Sequence, residues 1–152
     1  MDYETINAVR SLYKNYGREL RRLEDLNFCS TNLVPKLDGM PRAQAQTSKT
    51  ETVATLIVET EQLLAELGAQ IEQAKFTLLR QFDTVAMREL PKRVLLYHYV
   101  SCQSFSAIAR IMHFARSYIF YLHDEGLRAC GLDSREMMAF KKRARLVNID
   151  MH

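Results

Sequence analysis

From Ile6 onward, apolar residues return at intervals of 3, 4, 3, 4 and 3: Ile6, Val9, Tyr13, Tyr16, Leu20 and Leu23. A second run repeats every seven residues through Ile57, Leu64, Ile71 and Leu78, with Val53, Thr60, Leu67 and Ala74 between them. Spacings of this kind lay a narrow apolar seam along one face of a helix, as coiled-coil and bundle helices do. They predict long helices over 3–27 and 51–82, and an all-α fold. Five glycines and three prolines in 152 residues leave few breaks to interrupt such helices. Gly17 lowers helix propensity by about 1 kcal/mol, too little to end so regular a pattern.

Between the two runs lies FCSTNLVPKLDGMPRAQAQTSKT, residues 28–50, with Pro35, Gly39 and Pro41 and a polar end. It reads as a linker. Ser48 or Thr50 then serves as cap of the second helix, Ser48 and Glu51 having capping-box spacing. Two amphipathic helices joined this way form an antiparallel hairpin, pair with copies of themselves, or both. Ile57, Leu64, Leu67, Ile71 and Leu78 are the residues expected to hold a homo-oligomer together.

The opposite end of the chain has another texture. Residues 51–82 carry five Glu against Lys75 and Arg80, net −3, whereas residues 89–145 carry ten Lys/Arg against five Asp/Glu, net +5. A polyanion would prefer the second half. There Pro91 suits the first turn of a helix over 91–100, which buries Val94, Leu95 and Tyr97 or His98, and SCQS at 101–104 breaks it.

FSAIARIMHFARSYIFYLHDEGL, residues 105–127, has the register of a helix-turn-helix. Ala109 is the small residue at the helix crossing; Ile108, Met112 and Phe114 fill the apolar slots of the first helix and turn; Ile119 and Leu122 are the inward pair of the second. His113 occupies the turn position that often holds glycine because the backbone there is left-handed. With Ile119 and Leu122 inward, 100° per residue turns Ser117, Tyr121, Asp124 and Arg128 outward, with Phe120 and Tyr118 on the two flanks. An ordinary helical hairpin in a core has the same pattern, without the outward role.

On the helix-turn-helix reading, Arg116 contacts a guanine or a phosphate and Ser117 a phosphate. Phe120 and Tyr121 meet thymine methyls or the sugar–phosphate wall, and Asp124 accepts from cytosine or orients Arg128. Lys92, Arg93 and Arg110 are phosphate clamps, joined by Lys141, Lys142 and Arg143 of the basic run FKKRARL. The chain thus divides into a long-helix region at 1–85, a helix-turn-helix domain at 86–135 and a basic C-terminal tail at 136–152.

The segment LPKRVLLYHYVSCQSFSAIARIMHFARSYIFYLHDEGL resembles the helix-turn-helix of sigma-factor region four. More closely, the chain is similar to the phage and prophage late-gene regulators of the ArpU and RinA kind. That resemblance rests on the order of helices, on Gly39-Met40-Pro41-Arg42 in the linker and on Tyr99. It rests also on Phe105-Ser106-Ala107-Ile108-Ala109, and on His123 with Gly126-Leu127 at the end of the second helix. It implies a sequence-specific transcription regulator in a bacterial or phage-infected cytoplasm, with double-stranded DNA as partner and RNA polymerase or another regulatory protein as a further one.

Other function classes find less in the sequence. The competing reading is a protein-binding module, an adaptor or inhibitor that uses the aromatic-rich second helix, with Tyr118, Phe120 and Tyr121, as its contact surface. No Gly-rich phosphate loop or HExxH points to an enzyme, and no cofactor or metal is expected. His98, His113 and His123 are spaced 15 and 10 apart, no two within one helical turn, and read as structural or surface groups. Cys29, Cys102 and Cys130 are odd in number and form no CxxC pair, the pattern of reduced thiols. MDYETINAVR lacks the character of a signal peptide, and no apolar run approaches the ~20 residues a bilayer requires, so no membrane partner is expected.

Overall fold

The computed structural model describes the backbone of residues 1–33 and 43–150, and side chains over 1–31 and 49–146. Among the described residues the chain is all-α: α1 (Tyr3–Leu33), α2 (Ala43–Thr84), α3 (Glu89–Leu95), α4 (Phe105–Met112), α5 (Arg116–Ala129) and α6 (Ser134–Asp150). A π-helical turn, Leu96–Val100, continues α3. No described helix is long and apolar enough to cross a membrane.

Both long helices outrun their seams. Residues 28–33 continue α1 and residues 43–50 already belong to α2, so the expected linker is helical at both ends. Ser48 and Thr50 therefore lie inside α2 rather than at its start. No glycine or proline occurs at 28–33 or 43–50 to stop a helix there. The Gly39–Arg42 turn lies outside the described residues.

The chain forms two compact units, Leu12–Glu72 and Met1–Ser11 with Gln73–His152, so the ends of both long helices join the C-terminal helices rather than parting from them at residue 85. In the first unit Thr60, Leu64, Leu67 and Ile71 are buried within the single chain, and Ile57 is half-buried. The seam assigned to oligomerisation is thus largely taken up inside one chain. On α1 the inward stripe passes through half-buried Leu12 and Glu19, while Tyr13 and Leu20 of the expected seam are exposed.

The second unit has two apolar clusters. Ile6 and Val9 of α1, Leu78 and Phe82 of α2, Leu95, Tyr99, Leu127 and Met137 make the larger. Leu78, also assigned to oligomerisation, is thus a core residue. Val94, Ile108, Ile119 and Leu122 make the smaller, which locks α4 and α5 onto α3. The Tyr3 hydroxyl donates to Glu136 Oε2 (2.7 Å) and accepts from the Asp133 N–H (3.0 Å), tying the start of α1 to the start of α6. Residues 136–150, read as a tail, are helix and integral to this unit.

Candidate nucleic-acid interface

The candidate interface begins at a left-handed turn. Ser104 caps α4, its hydroxyl accepting from the Ala107 N–H at 3.2 Å. The helix ends at His113, whose φ of 58° and ψ of 40° are left-handed. The Phe114 N–H then bonds the Ala109 carbonyl at 3.1 Å, and Ala115 in extended geometry starts α5. His113 thus holds the conformation that the sequence pattern requires of it.

Ile119 and Leu122 have no exposed surface, and the other face of α5 is presented outward as the periodicity predicts. Ser117 is exposed, Tyr121 is 56% and Phe120 41% exposed, and Arg128 is exposed beside half-buried Asp124. Arg128 pairs with Asp124 at 2.7 Å, so Asp124 does orient Arg128; a hydrogen bond with Ser134 holds the Asp124 carboxyl below the usual carboxylate range. The Arg116 guanidinium lies 5.4 Å from the Phe120 ring centre, a cation–π contact. Phe114 departs from expectation. Its ring is 37% exposed and packs edge-on to Tyr118 at 5.0 Å, because the left-handed turn swings it to the rim instead of the core.

The expected phosphate clamps divide into two groups. Lys92 bonds Asp83 at 3.0 Å and Arg93 bonds Glu89 at 3.1 Å, so both have carboxylate neighbours, in surface pairs worth at most about 1 kcal/mol. Arg110, Lys142 and Arg143 are exposed. Lys141 serves differently: its ammonium donates to His98 Nε2 at 2.8 Å and lies 4.8 Å from the Tyr99 ring centre. It braces the fold, so it does not belong with the solvated cations of the run.

Beneath this surface the histidines meet. The π-helical turn buries His98 and Tyr99 together, and the His98 and His123 ring centres stand 5.7 Å apart. Reading His98 and His123 as separate groups fails because tertiary packing, not helical spacing, joins them. The Gln103 carbonyl accepts from His98 Nδ1 at 2.9 Å, which leaves Nε2 to accept from Lys141. Arg10 donates to the His98 carbonyl at 2.9 Å. Burial, with Lys141 and Arg10 nearby, pushes the His98 pKa down to about 2; burial and Lys141 push that of His123 down to about 3. Both are neutral, and their hydrogen bonds are spent on structure. Among the described residues, no three His, Cys, Asp or Glu side chains cluster as a metal site.

On one flank of α5 opens a cleft of about 710 Å³, where Arg116 and Phe120 meet Phe105 of α4, Arg10 of α1, and Lys142 and Arg145 of α6. Arg10 and Arg145 were not singled out by sequence; Arg145 stood in the quoted basic run, and Arg10 is separated from it by the whole chain. No protein-family model, curated protein or solved structure matches this chain.

Proposed function

We propose that this chain is a sequence-specific DNA-binding transcription regulator of the phage or prophage late-gene kind, laying α5 in the major groove. The observation that carries the reading is the division of α5 into two faces. Ile119 and Leu122 are locked into the core, while Ser117, Phe120, Tyr121 and Arg128 stand outward from the turn at His113. That presentation is what base reading requires of a recognition helix. The helix itself is weakly basic, but Arg10, Lys142 and Arg145 gather beside Arg116 and supply charge for phosphates. Selection of duplexes from the source genome by the purified chain should enrich one short common sequence; recovery of unrelated fragments in proportion to their abundance would contradict the reading.

One observation favours the protein-binding reading. Phe114, Tyr118 and Tyr121 form a continuous exposed aromatic strip, with ring centres 5.0 and 6.1 Å apart. Such strips anchor protein interfaces. Charge separates the two readings: Lys142→Ala and Arg143→Ala together weaken a DNA site and leave an aromatic docking site unchanged.

A further inference from the structure

The cleft beside α5 has the composition of a ligand site as well as of a groove wall. Five cations line it, Arg10, Arg116, Lys141, Lys142 and Arg145, and among the described residues no carboxylate does. Five like charges around one cavity repel one another, and an anion seated among them relieves that repulsion. The walls, by contrast, are apolar and aromatic. Phe105 stacks on His98 with ring centres 4.1 Å apart and meets Phe120 at 4.8 Å. Phe120 and Met138 remain 41% and 58% exposed while lining the cleft, so its apolar walls are open to a ligand.

We infer that this cleft binds a nucleoside phosphate. The phosphate takes the cationic rim, above all Lys142 and Arg145 of α6 and Arg116 of α5, through charge-assisted hydrogen bonds. The base lies against the Phe120 ring and the Met138 side chain, a flat π-face on apolar walls. A volume of about 710 Å³ exceeds the needs of inorganic phosphate and falls within the range of small-molecule pockets. Arg10 and Lys141, each bonded to His98, are fixed before any ligand arrives, so their charge is in place without further ordering. The inference does not depend on α5 reading DNA.

The test is calorimetric titration of the full chain with AMP and GMP at low salt, beside inorganic phosphate and the bare nucleosides. At least one nucleotide should bind about tenfold or more tightly than either fragment, because ring and phosphate contribute together. The double variant Lys142→Ala/Arg145→Ala should weaken that binding about tenfold or more, and Phe120→Ala about tenfold. These three side chains are exposed, and circular dichroism confirms that each variant keeps its helices. Tyr121→Ala, outside the cleft, should leave nucleotide affinity unchanged while weakening any DNA binding, so DNA reading can fail while the nucleotide site stands. Nucleotides that bind no tighter than inorganic phosphate would overturn the inference, as would binding indifferent to Lys142→Ala/Arg145→Ala in a folded variant.

Discussion

The Tyr99 hydroxyl donates to His123 Nε2 across 2.6 Å, joining the π-helical turn after α3 to the middle of the candidate recognition helix in a fully buried contact. Burial raises the Tyr99 pKa and lowers that of His123, so this neutral pair is the form the fold retains.

Acid should therefore destabilise the chain before its carboxylates titrate. In the unfolded chain His98 and His123 take up protons near the ordinary 6.5, while in the folded chain they stay neutral down to about 2 and about 3. Below pH 6.5 the unfolded state binds the additional protons, so stability is lost as pH falls. Each histidine contributes a slope approaching about 1.4 kcal/mol per pH unit. Asp124 and Glu125, held below their usual range by hydrogen bonds with Ser134 and Arg88 respectively, add to the loss only in more acid solution. Urea unfolding at pH 7, 6 and 5 checks this, and His123→Gln should bring the slope to about half.

Lys141→Ala should cost about 1–3 kcal/mol, because it strips His98 Nε2 of its donor in a half-buried site. Lys142→Ala, one residue on and exposed, should leave the melting temperature unchanged. A thermal melt of each variant separates the brace from the surface cation. Lys142 is consequently the residue that reports on phosphate contact; loss of DNA binding on removing Lys141 would report on folding as well.

Gly126 has no room for a side chain. A Cβ there would stand 2.8 Å from Leu95 Cδ1, 2.9 Å from its Cγ and 3.4 Å from the Pro91 carbonyl oxygen. Leu95 is fully buried and cannot step aside. Gly126→Ala should destabilise by about 1–2 kcal/mol despite the better helix propensity of alanine, read as a lower urea midpoint.

His113 offers the reverse case. Its left-handed backbone is strained for any residue with a Cβ. His113→Gly should stabilise by up to about 1 kcal/mol, after the unfolded chain's added freedom is subtracted. His113→Val, β-branched, should destabilise by a similar amount or more. Chemical unfolding of the pair gives the sign directly.

Much of this architecture was legible in local sequence. Ile119 and Leu122 lie three apart on one helix, so their burial follows from period alone, and so do the outward positions of Ser117 and Tyr121. The left-handed turn was legible because the spacing from Ala109 left no other position for it. The helix ends were not: residues 28–33 and 43–50 lack a breaker, and possible caps such as Ser48 carry no weight once the helix runs through them. Nor was the buried cluster. His98 meets His123 and Lys141 from 25 and 43 positions away, and a lysine in FKKRARL gives no local sign that it turns inward. Arg10 joins the cleft only because the first turns of α1 pack with the C-terminal helices.

Fluorescence anisotropy decides whether the outward face of α5 reads DNA. Wild type, Arg116→Ala and Tyr121→Ala should be titrated against a promoter-bearing genomic fragment and a random duplex at several salt concentrations. Wild type should prefer the genomic fragment, with an affinity that falls with salt by about 0.9 log unit per log unit of salt for each phosphate neutralised. Both variants should bind about tenfold or more weakly, with unchanged helical content. No binding by the folded wild-type chain at the lowest salt, or binding that ignores both sequence and these substitutions, would contradict DNA reading by α5.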